Sequence, residues 1–460
     1  MLAKVSRRDF LKLVGSAAGV AALAACAPKV VKETVVVEST KVIEKEVTRV
    51  VEKAAEQKVK IRITGWGGPI EVKGLTGLAD AYVQQHPNLE IEWIFPAGGI
   101  GVREKVLAMI AGGDAPDALM LNTGQFEGFA ARGALRALDA FVAADGMDLS
   151  IYWPQAIEGS KYRGTLYGLP RDLSNQVIYY NKTLFDAAGV PYPKDDWNWN
   201  DFVDTAKKLT ISKDGKTEQW GYGLDNGLGA WICYVWANDG QILDADKKKC
   251  LLLEPKAVEG VEFYYSLDLT HHVAPPPGAL PEMGWSGGYF MNQKVAMCQL
   301  GPWWRPQLVN DLAKEKQFPW DIAFIPKSPN TGKNATHLWT DQFAVFSSTP
   351  HPQECWGHIK YLTSKEGLAA LVKLMGPRSV SPIKELCYTD EWKNYGGCRG
   401  QIYLDSMAFA FPPPTNFGNG SQLEILSAQE LSLVLTGQAT VKEALAKICQ
   451  QIDPILAMGD

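Results

Sequence analysis

The sequence predicts an α/β fold in which a mainly parallel sheet carries helices on both faces. Two observations point there. From Lys58 onward, runs with strand alternation take turns with helical runs of about ten residues, the order that builds parallel sheets. Clusters of Gly, Pro and Asn fall between the runs and read as turns. A third observation sets the scale. A chain of 460 residues, 46 % hydrophobic and 21 % charged, suits two or three lobes with sizeable cores. The formal charge of −5 supplies no basic field for nucleic acid.

Residues 1–25 read as a signal peptide. Ser6-Arg7-Arg8-Asp9-Phe10-Leu11-Lys12 precedes an apolar stretch from Leu13 to Leu23. That stretch is too short to span a hydrocarbon core, which needs about 20 apolar residues. The paired arginines resemble a twin-arginine export signal. Leu23-Ala24-Ala25-Cys26 resembles a bacterial lipobox, which places a lipid on Cys26. Residues 26–57 alternate β-branched and charged residues, as in Val42-Ile43-Glu44-Lys45, and read as a spacer, helical or a loose tether.

In the body, Val59, Ile61 and Ile63 form the first strand, followed by the loop Gly65-Trp66-Gly67-Gly68-Pro69. Leu75, Leu78, Tyr82 and Val83 make a helical face that His86-Pro87 ends. Leu89, Ile91, Trp93 and Phe95 predict the next strand. Val102, Val106, Met109 and Ile110 predict a helix closed by Gly112-Gly113, and Ala118 to Leu121 a buried strand. Asn198 caps a helix presenting Phe202, Ala206 and Leu209. Thr440 and Glu443 form a capping box for the last helix.

Catalytic signatures are missing: there is no G-x-x-x-x-G-K-[ST], no H-E-x-x-H and no G-x-S-x-G. Gly221-Tyr222-Gly223 reads as a turn. No metal site is expected, since His271-His272 suits a helix end and no Cys pair has ligand spacing. No cofactor is expected either. The aromatic residues say more. Trp66, Trp231, Trp285, Trp303 and Trp304, and Trp339 all stand beside turn residues, and there are 15 Trp in all. An indole face packs on the apolar face of a sugar ring while nearby polar groups satisfy its hydroxyls. Trp93, Trp220, Trp320 and Trp356 fit strand or helix faces and are assigned to cores.

An ordered set of segments then carries a resemblance. Gly113-Asp114-Ala115-Pro116-Asp117 is followed by Arg132-Gly133-Ala134-Leu135, by Tyr162 to Pro170 and by Tyr179-Tyr180-Asn181-Lys182. Trp199 to Thr210, Lys294 to Met297 with Gly301-Pro302-Trp303, Ile359 to Ser364 and Leu435 to Leu445 complete it. Over residues 58–460 the chain resembles family 1 of the extracellular solute-binding proteins, the maltose-binding-protein-like capture subunits of ABC sugar importers. The resemblance implies a periplasmic-binding-protein-like α/β fold: two lobes joined by three crossover segments, with a ligand cleft between them. Residues 58–170 plus 327–375 would form the N-terminal lobe, and 171–326 plus 376–460 the C-terminal lobe. It implies ligand contacts from Trp66, Gly67, Asn122, Thr123, Gln125, Asp172, Trp231, Trp285, Trp303, Trp304, Trp339, Asp341 and Arg378. It also implies a carbohydrate ligand, ABC permease partners and a monomer anchored by lipid on the outer face of the membrane or in the periplasm. An exported glycoside hydrolase built on paired acids, or a ligand-presenting sensor of the same fold, are the alternatives.

Seven cysteines follow Cys26, and an odd number leaves at least one unpaired. Cys387 and Cys398 flank a polar loop that a disulfide would close. Cys355 and Cys449 fall in helical patterns and read as buried, inert thiols.

Overall fold

The computed structural model describes residues 58–96, 102–310, 317–413 and 421–458. The signal peptide, Cys26 and the spacer lie outside them. The chain opens with β1 (Val59–Thr64), α1 (Pro69–Gln85) and β2 (Leu89–Ile94), in which the two strands pair in parallel. Pro69 starts the helix, where an N–H would have no intrahelical partner anyway. Next come α2 (Val102–Ala111), β3 (Ala118–Asn122) and α3 (Thr123–Ala131). The Oδ1 of Asn122 caps α3 by accepting the Gln125 N–H at 3.0 Å.

Two long strands, β4 (Gly168–Asn175) and β5 (Val177–Asn181), are buried at every position and separated only by Gln176. The chain continues through α4 (Trp199–Leu209), β6 (Ile211–Lys213), β7 (Lys216–Gly223) and α5 (Leu228–Ala237). It then forms α6 (Pro255–Leu269), β8 (Val295–Leu300), α7 (Trp304–Asn310) and β9 (Trp320–Ala323). The last elements are β10 (Thr336–Val345), α8 (Pro352–Thr363), α9 (Lys365–Met375), β11 (Ala410–Phe411), α10 (Ser421–Leu435) and α11 (Val441–Met458).

These strands form two sheets, β11-β10-β3-β1-β2 with β4 also on β10, and β9-β5-β8-β7-β6. The expected parallel order holds for β1, β2 and β3 and for β7 with β8. It fails at β10, antiparallel to β3 and β4, and at β5, antiparallel to β8 and β9. The reason lies in the connections. Parallel neighbours need a crossover of a dozen residues or more, usually a helix. Here β4 runs into the second sheet across a single residue, and β9 returns to β10 without a helix between them. A third link lies after α9, where Val380 and Leu173 of β4 exchange backbone hydrogen bonds of 2.9 Å.

The first sheet packs Ile61, Ile63 and Phe343 against Leu75, Trp356 and Leu371 of its helices. The second packs Ile178 and Met297 against Phe202, Trp231, Tyr264 and Ile448. Trp320 and Trp356 are buried, and Trp93 and Trp220 pack against cores, as their patterns predict. The capping boxes at Asn198 and Thr440 are both formed.

Three expectations are corrected. Gly221 to Gly223 is the end of strand β7 and not a turn. A Cβ on Gly221 would overlap the backbone of Ala206 in α4, so glycine serves close helix–strand packing there. The disulfide joins Cys250 to Cys449, so Cys449 is not the inert thiol its helical pattern suggests, while Cys387 and Cys398 are both free and buried. Cys387 Sγ instead accepts the Ser381 N–H, and Cys398 Sγ donates to the Tyr395 carbonyl. Each thiol is thus held in its own local turn.

Candidate functional site

Successive strand residues face opposite ways, so His337, Trp339 and Asp341 share one face of β10. Asp341 lies opposite Asp172 of β4 on one side and Asn122 of β3 on the other. Between the acids sits Arg171, almost fully buried. Its Nη1 donates to Asp172 at 2.8 Å and lies 3.8 Å from Asp341. Its Nη2 donates to Glu71 in the first turn of α1, and Arg378, just past α9, donates to the same Glu71 oxygen. Gly67 makes this possible: at φ +149° a Cβ there would overlap the Glu71 carboxylate.

Three acids and two guanidiniums thus share one buried spot. Burial pushes the carboxyl of Asp172 up, against the pull of Arg171. Burial and the facing Asp172 push Asp341 well above the usual carboxylate range. Burial lowers Arg378 to about 10, which leaves it cationic at neutral pH.

Aromatic rings continue the surface. A side chain on Gly301 would overlap Trp303, so the missing Cβ lets that indole fold back over the loop. Trp303 meets Trp339 edge to face, with centroids 5.6 Å apart and planes at 82°. Trp339 in turn rests on Gly229 at the start of α5 and touches His337, centroid to centroid 3.8 Å. Trp303, Pro306 and Gln307 on one side and Gly68 to Glu71 on the other enclose a cavity of about 260 Å³, with Met375 and Arg378 in its wall. Elements of both sheets meet there.

The structure brings together Gly67, Asp172, Trp303, Trp339, Asp341 and Arg378. Asn122 and Thr123 adjoin them through the sheet, but as supports. Thr123 Oγ1 exchanges hydrogen bonds with the Thr340 backbone, and Gln125 points a buried Oε1 without a protein partner. Trp66 is half-buried between two cores. Trp285 is 44 % exposed and lies 5.3 Å from the ring of Trp304, which is itself buried against Gly287. Trp231 is a correction. It is wholly inside the second core, because Gly227 before it is the N-cap of α5, a helix buried on nearly every side. Glu71, Pro306, Gln307 and Met375 were missed. Glu71 alone carried a signal, as an acid in the first turn after a Pro start, which usually marks only a favourable helix charge.

Residues 66–369 match the model of the bacterial extracellular solute-binding protein family. The chain belongs to this family. A binding protein of Brucella abortus (strain 2308) is 25 % identical over 279 residues, covering 59 % of this chain and 64 % of its own length. The chain thus spans a little under two thirds of that curated relative. Among solved structures, an ABC substrate-binding protein from Listeria monocytogenes in complex with cycloalternan superposes with a TM-score of 0.77 at 26 % identity. That match covers 86 % of this chain and 98 % of the other. A maltose-bound MalE3 of T. maritima, 21 % identical, shares the fold with a TM-score of 0.74 over 86 % and 99 % of the two chains. These proteins share the mixed α/β architecture of two lobes. Family members are binding proteins, and the acids here fit that chemistry. Asp172 and Asp341 face each other across the pairing of β4 with β10.

Proposed function

We propose that this chain is the substrate-binding subunit of a bacterial ABC importer, capturing a sugar or oligosaccharide and delivering it to membrane permease subunits. The observation that carries the reading is the cavity between the Gly68–Glu71 turn and Trp303, with an indole on one wall and a charged floor beside it. An indole stacks on a sugar ring, and carboxylate and guanidinium groups hold its hydroxyls. The N-terminal lobe comprises residues 58–170 plus 327–375, and the C-terminal lobe 171–326 plus 376–460. A sugar that touches both shifts the population from open to closed. A wrong epimer leaves desolvated groups unpaired, at about 1–3 kcal/mol each. Cys26 carries the lipid, residues 26–57 hold the body off the membrane, and the protein works as an extracytoplasmic monomer. Among the described residues no helix is long and apolar enough to cross a membrane.

Tryptophan fluorescence titration against mono- and oligosaccharides tests the proposal, with a saturable change for at least one sugar as the expected result. Silence for every sugar with saturation by a peptide or polyamine overturns it. Recovery of the bound sugar unchanged after long incubation separates capture from hydrolysis.

A further inference from the structure

Helix α7 carries a guanidinium that the sugar reading leaves unused. Arg305 is wholly buried, and it is not among the residues that enclose the Trp303 cavity, although Pro306 and Gln307 beside it are. Its Nη2 donates to the carbonyls of Trp392 and Tyr395. Its charge rests against the rings of Trp392, Tyr395 and Tyr403, at 4.8, 5.6 and 5.8 Å from their centroids. Nε and Nη1 have no hydrogen-bond partner. Trp392 lies in the short helix Asp390–Asn394 and Tyr395 is its C-cap, so a cation suits the carbonyls at that helix end. Burying a cation is costly, and here it fixes geometry: a rigid guanidinium holds two carbonyls against α7.

What Arg305 grips from one side is the turn that presents Trp303. From the other side Tyr403 donates to Tyr179, and Tyr179 donates to the Gly301 carbonyl at 2.9 Å. The far end of α7 is tied as well, since Asn310 donates to the Tyr395 hydroxyl at 3.2 Å. The same segment reaches the third link. Trp392 Nε1 donates to the Ser379 carbonyl at 3.2 Å, and a Cβ on Gly376 would overlap the Tyr395 hydroxyl. Ser379 and Gly376 bracket Arg378, which walls the cavity together with Trp303. Residues 392–403 therefore touch the chain beside both of these side chains.

Resting on the reading of this cavity as the sugar site, we propose that Arg305 is a positioning residue, which sets the place of Trp303 relative to Arg378 by clamping α7 to the segment that follows the third link. It touches no ligand. Its effect on binding passes through Trp303, so it vanishes when that indole is removed.

The test compares Arg305→Met and Arg305→Lys with the wild-type full chain, each alone and combined with Trp303→Ala. One readout needs no sugar: the exciton circular-dichroism couplet of the Trp303–Trp339 pair, taken as wild type minus Trp303→Phe. Arg305→Met should lose most of it, and Arg305→Lys less, because an ammonium keeps the charge but not the planar fork. The other readout is calorimetric titration with maltose, maltotriose and mannobiose. Arg305→Met should weaken the tightest of these by about tenfold and Arg305→Lys by about threefold, and neither by more than about twofold once Trp303 is alanine. Arg305→Lys carries both readouts if Arg305→Met fails to fold. A couplet unchanged in the folded variants, or an equal loss of affinity with and without Trp303, overturns the inference and leaves sugar capture standing. Absence of binding by all three sugars counts against the sugar reading, and the couplet still decides the role of Arg305.

Discussion

Trp303 owes its position to a side chain that Gly301 lacks, and it lines the cavity while meeting Trp339 edge to face. Trp303→Ala should therefore weaken the best sugar by about 2 kcal/mol, roughly thirtyfold in Kd, with Trp303→Phe recovering part of it. Calorimetric titration reads both, and an unchanged Kd in Trp303→Ala removes this ring from the site. The Asp172–Asp341 pair gives a prediction in pH. Both carboxyls are raised in the fold, so above about pH 4 the native state keeps a proton that the unfolded chain releases. The stability from that proton is present at low pH and is lost as pH rises through the folded pair's own titration. Asp341→Asn keeps a neutral group there at all pH values. Its Tm should fall less steeply than wild type with rising pH, and sit about 1–3 °C above it near pH 8. Parallel curves would show that the pair shares no proton.

At the scale of elements, α11 is held at two points that sequence patterns treat unequally. Its capping box is local and legible: Thr440 accepts the Glu443 N–H, and Glu443 accepts in return. Its disulfide to Cys250 is not, because the two residues are 199 apart and meet only once a short hairpin closed by the Leu243–Cys250 bridge has folded onto the helix. Closing so long a loop restricts the unfolded chain, so Cys250→Ser with Cys449→Ser should cost about 2–5 kcal/mol, measured by denaturant unfolding. Cys387→Ser with Cys398→Ser should move the midpoint far less. The same contrast explains the rest of the reading. β1 to β3 and α4 announce themselves by period and cap, so their faces follow from spacing. Helix α5 does not, since it is buried almost all round and carries no polar stripe to show where Trp231 points. The candidate site was legible at Trp303, which follows Gly301 in sequence, while Trp339 was marked by Thr340-Asp341 and the Gly229 beneath it lies far off in the chain. The site was illegible at Glu71, whose partners come from β4 and from past α9.

Across the whole molecule, the five charged groups do more than floor a cavity. Glu71 belongs to α1, Arg171 and Asp172 to the strand that leaves the first sheet, Asp341 to the strand that returns, and Arg378 to the third link. Each of these three links therefore carries a charge in one cluster, and Glu71 is the acceptor common to both guanidiniums. Removing it takes an acceptor from the buried Arg171 and from the partly buried Arg378, whereas an exposed ion pair such as Lys365–Glu385, 51 % and 72 % exposed, is worth about 0–1 kcal/mol. Glu71→Gln should thus cost about 3–5 kcal/mol in thermal or denaturant unfolding, and Glu385→Gln almost nothing. Adding Arg378→Gln to Glu71→Gln should restore part of the loss, because one stranded cation is then gone. If instead the double variant is as unstable as the sum of its single changes, the groups act independently. The three links would then be joined by backbone pairing such as Leu173 with Val380, and not by charge.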